Sequence, residues 1–335
     1  MKIAIIGAGW VGCHLAKALT LICEVDLFDE IGIFSGTSSR NQNRLHLGFH
    51  YPRNYRTRNL CQSTFNRFIE EYKSLVKPVE SNVYAVPVDY STIDFHTYTS
   101  IFEHEGIPYL DVKCRNLIGI EGSILTGEYA IDHFLAKEYF TKLHKNIFEV
   151  RRVLEDSIPA LLTEYDFVIN CTNNAIKDKS VQAYHELSLS LLYRKVRSTE
   201  FDALTVVDGN FFSIFPYSYD LFTVTSVQNT PIYSSYSLQD ITSQQSQLTD
   251  LEVDSIRERI VKCIISNYPS FVTDFEYAGY FTSIKSKTVN STADRYPIIT
   301  TDSRLINCFT GKIQGIFVIE DFIKKYITNY ECFDR

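Results

Sequence analysis

The sequence predicts an α/β fold: a Rossmann-like dinucleotide-binding domain with an inserted, mainly antiparallel β-sheet (α+β) domain. A strand, a glycine-rich turn, an amphipathic helix and a second strand follow one another within about thirty residues of the start. Strand and helix signals of this kind return later in the chain, and hairpin signals lie between them. This order predicts one discontinuous domain that is interrupted by another.

The N-terminal unit is predicted from hydrophobic periodicity. The apolar run Lys2–Ile6 ends in a glycine cluster and is typical of a buried parallel strand. Apolar residues then recur at helical spacing from Val11 to Ile22, and a second strand follows at Glu24–Asp29. Together these segments form one βαβ unit.

The later elements are predicted from shorter signals. Asp208-Gly209-Asn210 between two apolar runs is a strong hairpin signal. Strands are expected at Asn146–Val150, Asp166–Cys171, Ala203–Val207, Phe211–Phe215, Leu221–Val227 and Leu305–Phe309, and helices at roughly Ala130–Leu143, at Leu251–Ser266 and from about Gln314 to Tyr326. The polar stretch Ser234–Leu251 is expected to be a surface excursion. We therefore assign residues 1–75, 130–180 and 275–335 to the dinucleotide-binding domain, and residues 76–129 and 181–274 to a substrate domain.

Composition indicates an ordinary globular protein. The 335 residues are 45% hydrophobic and 22% charged, and the net charge of −7 argues against general binding to nucleic acid or anionic membranes. The eight cysteines contain no CxxC pair and no regular ligand spacing, which argues against a metal site or a disulfide framework. The apolar run at residues 3–23 holds charged residues and glycines and has no cleavage pattern, so we expect a cytoplasmic protein without a membrane span.

Residues 31–69 form a basic stretch without Asp or Glu. It contains two histidines and six arginines, namely Arg40, Arg44, Arg53, Arg56, Arg58 and Arg67. The stretch is either a solvated basic loop or a surface that meets an anion, such as a cofactor diphosphate, a substrate carboxylate or a substrate phosphate.

The motif Gly7-Ala8-Gly9-Trp10-Val11-Gly12 lies between the first strand and the first helix. In such a motif the first glycine permits the tight turn, the second lets backbone approach a diphosphate, and the third lets the helix pack on the strand. Asp29, with Glu30 as the neighbouring alternative, ends the second strand, where a carboxylate accepts from a ribose hydroxyl. The combination predicts a dinucleotide site, and the acid favours FAD or NAD over NADP.

Three segments resemble the D-amino acid oxidase-like (DAO) family of FAD-dependent oxidoreductases, which includes sarcosine and glycine oxidases. Ser35–Gly48 is similar to the flavin-contacting loop of that family, and Asp166–Thr172 to its strand near the cofactor. Asp294–Ile299 and Thr310–Gly315 are similar to its closing arginine–proline segment and glycine loop. The resemblance implies an FAD-binding domain and adds predicted cofactor contacts at Ser38, Ser39, Asn43, Arg44, Leu45, Val150, Cys171, Thr172, Asn173, Gly311, Lys312, Ile313 and Gln314.

The sequence departs from the family at two points. Asn173 stands where the family usually has glycine, so the contact at that turn is expected to differ. Members with covalent flavin carry a cysteine shortly before the region that matches Thr292–Ile299, whereas this chain has Lys287, Thr288 and Val289 there. We therefore expect FAD to be held non-covalently.

In this family a hydride passes from substrate carbon to flavin, which is then reoxidised by oxygen or another acceptor. The candidate catalytic and substrate-contacting residues are Arg44, His46, His50, Tyr51, Arg295 and Lys285, with Lys287 an alternative to Lys285 in promoting the reaction with oxygen; Tyr217 and Tyr219 could line the pocket. Either histidine could instead be a loop residue satisfied locally, and the tyrosines could be packing residues.

The leading functional hypothesis is oxidation of a C–N bond in a small polar, anionic amine or amino acid. The alternatives are oxidation of a hydroxyl or amine on a sugar, including a nucleotide-linked one whose phosphates the basic stretch would hold, and a flavin-dependent sugar mutase without net redox change. A nucleotide-binding scaffold without enzymatic activity is the alternative outside catalysis.

Overall fold

The computed structural model describes residues 1–209, 211–289 and 294–333. Its strands are β1 (Lys2–Ile6), β2 (Glu24–Asp29), β3 (Arg44–Leu45), β4 (Val76–Pro78), β5 (Asn82–Pro87), β6 (Tyr109–Val112), β7 (Ile120–Thr126), β8 (Tyr129–Ile131), β9 (Phe148–Val150), β10 (Phe167–Asn170), β11 (Ala183–Lys195), β12 (Ala203–Val206), β13 (Phe212–Ser218), β14 (Leu221–Ser226), β15 (Pro231–Ser235), β16 (Phe275–Thr288), β17 (Ile298–Asp302) and β18 (Leu305–Phe309). Its α-helices are α1 (Trp10–Leu19), α2 (Tyr55–Glu71), α3 (Phe95–His104), α4 (His133–Leu143), α5 (Ile158–Glu164), α6 (Leu238–Gln247), α7 (Asp250–Ile265), α8 (Phe271–Asp274) and α9 (Ile316–Phe333), and short 3₁₀ helices lie at Lys73–Leu75, Glu155–Ser157 and Ile313–Gly315.

The first sheet has the strand order β17-β18-β10-β1-β2-β9 and is parallel except for β17. Its central strands are apolar on both faces because helices cover both. Helices α1 and α9 pack on one face through residues such as Leu15 and Ile323, and α5 packs on the other through Leu161. The carboxyl ends of β1, β10 and β18 therefore meet at one edge.

The second sheet has nine strands and is mainly antiparallel, in the order β15-β11-β14-β13-β12-β5-β7-β6 with β16 paired along β11. One face is apolar and packs on α7, for example through Leu189, Leu191 and Ile260. The opposite face carries buried hydroxyls, including Thr205 and Thr223. A small third sheet, β3-β8-β4, contains the start of the Arg44–His50 segment.

The structure confirms the predicted α/β fold class and the N-terminal βαβ unit. Several predicted bounds were wrong. Residues 129–131 form β8, and α4 begins only at His133, because Asp132 caps it by accepting from Leu135 N at 3.0 Å. The stretch 234–251 contains helix α6, and the final α-helix begins at Ile316 after a 3₁₀ turn.

Sequence patterns did not predict α2, β11 or β16. Because β16 pairs with β11, residues 275–288 lie in the second sheet, whereas the sequence-based division places them in the dinucleotide-binding domain. The hairpin of β13 with β14 and the antiparallel pairing of β12 with β13 are present, although the turn residue Asn210 lies outside the described residues. In the part of the chain that the structure describes, no helix has the length and apolarity needed to cross a membrane.

Candidate active site

The glycine turn after β1 is packed so tightly that side chains are excluded from it. Gly7 has a φ of +99°, and its N–H donates to Phe28 O at 2.7 Å. A Cβ on Gly12 would lie 1.8 Å from the Gly7 carbonyl oxygen, and a Cβ on Gly7 would lie 2.7 Å from Cys171 O. The turn thus has the close helix–strand packing of a dinucleotide-binding loop.

The N-terminus of α1 opens directly above this turn. Trp10 N–H donates to the Ser38 hydroxyl at 3.0 Å, and a Cβ on Gly9 would lie 2.8 Å from that hydroxyl. A helix N-terminus attracts anions because of its N–H donors and its dipole. Ser38 and the first turn of α1 therefore converge on one point that suits a phosphate group.

Asp29 holds the same turn from the end of β2. Its carboxylate accepts from Ala8 N at 2.9 Å and from the N–H groups of Ile31 and Gly32, both at 3.0 Å. Glu30 is exposed and lies 3.5 Å from Arg152, while Val150 pairs with Asp29 and is 62% exposed. The structure thus favours Asp29 over Glu30 as the acid of this site.

Several predicted contacts can contribute only through backbone. The Trp10 ring packs among four aromatic rings, with ring centroids at 5.0 to 5.5 Å, and Ala8 and Leu45 are fully buried. Val11 is partly buried against the same core, and Cys171 is buried with its N–H on Ile6 O. These side chains pack in the core against the glycine turn, so only their backbone groups are available to a cofactor.

In the Ser35–Gly48 loop, the side chains of Ser39 and Asn43 form hydrogen bonds within the loop or directly beside it. Ser39 donates to Phe34 O at 2.7 Å, and Asn43 (φ +50°) donates from its side-chain amide to Asn41 O at 3.2 Å. Tyr217 donates to Ser39 O at 3.2 Å and stacks on Phe281, which makes it a packing residue. Tyr219 is fully exposed, so its predicted pocket role was wrong.

The turn after β10 keeps the glycine-like conformation without a glycine. Asn173 has a φ of +55°, a left-handed conformation that asparagine tolerates better than most residues, and its carbonyl accepts from the Ser286 hydroxyl at 2.6 Å. Thr172 donates to Asn170 Oδ1 at 2.7 Å and accepts from Ile176 N at 3.0 Å. Asn173 therefore adopts a backbone conformation that glycine also adopts.

The segment 311–314 lies against the Arg44–Tyr51 segment. Gln314 is fully buried and donates to His46 O at 2.9 Å and to Cys61 O at 2.8 Å. The Lys312 ammonium lies 4.5 Å from the centre of the Tyr51 ring. Ile313, the next residue, is partly buried against the hydrophobic core. A Cβ on Gly311 would meet Arg295 Cδ at 2.7 Å, so this glycine lets Arg295 pass close to the loop.

Four cations lie in this region: Arg44, Lys285, Arg295 and Lys312. Arg44 is 5% exposed, donates to Thr205 Oγ1 at 2.7 Å and stacks 4.0 Å from the Phe215 ring centre, and no acid within the described residues pairs with it. Burial lowers the pKa of Lys285 to about 8, assisted by the charges of Lys287, Lys312 and Arg295 and opposed by Glu186. The cluster therefore produces a positive potential that suits an anion.

Four of the six arginines of the basic stretch form ion pairs with acids of this chain. Arg53 lies 2.5 Å from Asp208, Arg56 3.1 Å from Asp294, Arg58 2.5 Å from Glu105 and Arg67 2.7 Å from Glu320. Each of these pairs joins the stretch to a distant part of the chain. Of the six arginines, only Arg40 and Arg44 form no ion pair within the described residues, so the predicted anion-binding surface is reduced to these two.

Sequence reasoning missed Glu128, which lies between β7 and β8. It is fully buried and accepts from Leu47 N at 2.7 Å, Asn82 Nδ2 at 3.1 Å and the Tyr84 hydroxyl at 2.7 Å. Its Oε1 atom is 3.7 Å from Nδ1 of His46. An isolated glutamate near a turn carries no motif, so no local signal could have revealed this position.

Comparison with known proteins finds both sequence relatives and structural neighbours. The chain is 29% identical to the FAD-dependent monooxygenase FPY4 of Fusarium mangiferae, over 97% of this chain and 91% of the relative. It is 25% identical to the FAD-dependent monooxygenase kojA of Aspergillus flavus, over 94% and 83%. No family model matches the chain.

The structural neighbours share the fold at low sequence identity. Glycine oxidase from Geobacillus kaustophilus superposes with a TM-score of 0.72 at 14% identity, covering 98% of this chain and 95% of that one. NikD, an amino acid oxidase of nikkomycin biosynthesis, superposes with a TM-score of 0.68 at 11% identity, covering 95% and 91%. L-proline dehydrogenase from P. horikoshii gives 0.64 at 16% identity, covering 94% and 89%.

Proposed function

We propose that this chain, which has the fold of the D-amino acid oxidase-like FAD-dependent oxidoreductases, is itself an FAD-dependent oxidoreductase acting on a small polar amine or amino acid. The observation that carries the proposal is the side-chain-free turn of Gly7 to Gly12, which is held between Asp29 and Ser38. Relatives named as FAD-dependent enzymes along nearly the whole chain support the same cofactor.

The described residues fit a non-covalently held FAD. The N-terminus of α1 with Ser38 would hold the diphosphate, and Asp29 would accept from the ribose with lone pairs that the loop amides leave available. Arg44 and Lys312 would offset negative charge that the bound cofactor acquires. FAD supplies the acceptor for the hydride and its two electrons.

The cation cluster supports an anionic substrate. Within the described residues no ion pair joins Arg295 or Lys312 to an acid, and Arg44 is buried without one. A buried unpaired cation is costly unless a ligand neutralises it. A carboxylate on the substrate, or the charge that the flavin acquires on reduction, would provide that neutralisation.

Lys285 is the candidate for the reaction with oxygen. Its ammonium makes no hydrogen bond or ion pair within the described residues, although Lys287 nearby is paired with Glu186 at 2.6 Å. A free ammonium stabilises the negative charge that oxygen acquires as it takes electrons. The paired Lys287 is correspondingly the weaker of the two candidates.

A second candidate function is monooxygenation, which the names of the sequence relatives favour. An oxidase draws its electrons from the substrate that it oxidises. A monooxygenase needs an external reductant such as NADPH and places an oxygen atom in its product. The source of electrons therefore separates the two.

The test begins with purified protein incubated with FAD. We expect a yellow protein whose flavin is released by acid, and we expect anaerobic addition of the right amine or amino acid to bleach the flavin. Bleaching by NADPH, with faster consumption in the presence of a substrate, would favour monooxygenation instead. Bleaching only by sugars would leave the cofactor assignment standing but overturn the amine substrate. Folded protein that takes up no FAD would overturn the whole proposal.

A further inference from the structure

Two histidines lie side by side in the candidate active site, and each faces a group of fixed hydrogen-bonding character. The ring centroids of His46 and His50 are 5.3 Å apart. Burial lowers the pKa of both well below the usual value; Lys312 and Arg44 lower the His46 pKa further, and His46, Arg44 and Lys312 lower that of His50 against an opposing effect of Glu128. Both rings are therefore neutral near pH 7, and each carries one N–H and one lone pair.

Glu128 determines which nitrogen of His46 carries the proton. The carboxylate can only accept hydrogen bonds, and its Oε1 atom lies 3.7 Å from His46 Nδ1, which has no other partner within the described residues. A lone pair on Nδ1 would be repelled by that oxygen, whereas an N–H is attracted. Nδ1 therefore carries the proton, and Nε2 carries the lone pair.

Arg44 determines the opposite state for His50. The guanidinium can only donate, and its NH1 atom lies 3.5 Å from His50 Nδ1. The lone pair of His50 is therefore on Nδ1, and its Nε2 carries the proton. Neither Nε2 atom has a hydrogen-bond partner within the described residues, so two rings whose centroids are 5.3 Å apart keep one unused acceptor, on His46, and one unused donor, on His50.

We propose that Glu128 and Arg44 hold His46 and His50 in opposite tautomers, so that His46 Nε2 accepts the substrate's proton while His50 Nε2–H binds a neighbouring oxygen. The inference rests on the proposed function. As the C–H bond breaks, its electron pair leaves as hydride to FAD. The O–H or N–H bond on the same carbon also breaks; its electrons form the C=O or C=N bond, and its proton goes to His46 Nε2.

This arrangement narrows the class of substrate. An acceptor beside a donor matches a carbon that bears an O–H or N–H group next to a carbon that bears an oxygen. A 2-amino acid and a vicinal diol have this pattern, whereas a simple alkylamine lacks the second oxygen. Glu128 is a positioning residue in this scheme because it acts through His46.

Burial and two neighbouring cations keep His46 unprotonated. Arg44 from β3 and Lys312 from the loop before the last helix oppose a positive charge on His46. Glu128 from the β7–β8 turn is the acid that faces its Nδ1 atom, at 3.7 Å, and the His50 and Tyr51 rings lie beside it. Burial and the two cations prevail over Glu128. The acceptor should therefore function at neutral pH and be lost only as acid protonates the imidazole.

The tautomers can be read without turnover. In protein labelled with ¹⁵N-histidine and loaded with FAD, two-bond ¹H–¹⁵N spectra report which ring nitrogen is protonated, and His46→Gln and His50→Gln assign the signals. We expect a proton on Nδ1 of His46 and on Nε2 of His50 at pH 7. Matching tautomers, or a doubly protonated His46, would overturn the proposal. The same spectra of FAD-free protein remain informative if FAD does not bind, in which case it is the proposed function that fails.

Kinetics provide the second readout. We expect His46→Gln to slow anaerobic flavin reduction about 100-fold or more, and Glu128→Gln to slow it about tenfold with loss of the single His46 tautomer. In the wild type the rate of flavin reduction should fall at acidic pH as His46 is protonated, and this fall should be absent in His46→Gln. The exposed His96→Gln, in α3, is the control and should reduce its flavin at the wild-type rate. Wild-type rates in His46→Gln would refute the assignment even if Glu128→Gln failed to fold.

Discussion

Replacing Gly12 with alanine tests whether the close packing of α1 on the glycine turn builds the cofactor site. The new Cβ would lie 1.8 Å from the Gly7 carbonyl oxygen and 3.0 Å from its carbonyl carbon. Ordinary contact begins at 3.4 Å, so helix and turn must separate by roughly 1.6 Å. Because both obstructing atoms are backbone, no side-chain rotation can relieve the clash.

The expected cost has two parts. Overpacking of this kind destabilises a fold by about 1–3 kcal/mol, which corresponds to a fall of several degrees in melting temperature. Moving the helix N-terminus away also weakens a charge-assisted hydrogen bond to the diphosphate, worth about 1.5–3 kcal/mol. FAD affinity should therefore fall about 10- to 150-fold.

The assay is FAD titration by fluorescence together with thermal unfolding. Gly127→Ala is the matched control because a Cβ there meets nothing within 4 Å and the residue lies outside the proposed cofactor contacts. Equal FAD affinity in the two variants would refute the reasoning. Should Gly12→Ala not fold, Gly9→Ala provides the test: its Cβ would lie 2.8 Å from the Ser38 hydroxyl, so adding Ser38→Ala should relieve the clash without restoring full FAD affinity.

Three further predictions concern single side chains. Asp29→Asn should weaken FAD binding at least tenfold because it disturbs the hydrogen bonds that the carboxylate accepts from the N–H groups of Ala8 and Ile31. Glu30→Gln, at an exposed position, should bind FAD as the wild type does. Equal losses of affinity in FAD titrations of the two variants would contradict this. Lys285→Met should leave anaerobic flavin reduction intact but slow the reoxidation of the flavin by oxygen. In the wild type that reoxidation should slow as the pH rises through about 8, the pKa of Lys285, because the ammonium loses its proton. A reoxidation rate that does not change with pH in stopped-flow measurements would argue against this role. Hydrogen bonding from His14 lowers the pKa of Glu320 to about 2, so its carboxylate stabilises the fold above the ordinary glutamate pKa of 4.5 and that stabilisation is lost as pH falls towards 2. Glu320→Gln should then lose about 2 kcal/mol at pH 7, and urea unfolding should show the difference from wild type closing in acid rather than persisting.

The N-terminal site could be predicted from the sequence because its signals are local. The glycine spacing, the apolar strand before it and the acid at Asp29 all act over a few residues or across one βαβ unit. Asn173 shows the limit of such reading. Its departure from glycine predicts a different contact at that turn, and the sequence alone does not reveal that Asn173 has a positive φ, which asparagine tolerates.

The basic stretch shows what counting charges cannot settle. From composition, any of its arginines could meet an anion. The structure pairs Arg53, Arg56 and Arg58 with acids that lie far away in sequence, and it leaves Arg44 buried without an acid. Those partners depend on how helices and sheets pack, and no short-range pattern encodes that packing.

The sequence by itself determined the fold class and the position of the dinucleotide turn, since backbone geometry and hydrophobic periodicity follow from neighbouring residues. Only the tertiary structure decided that β16 joins the second sheet and that Glu128 lies beside His46. Strand order and burial arise from contacts between segments about a hundred residues apart. The electrostatic environment of a histidine is therefore a property of the whole fold and cannot be read from the residues next to it.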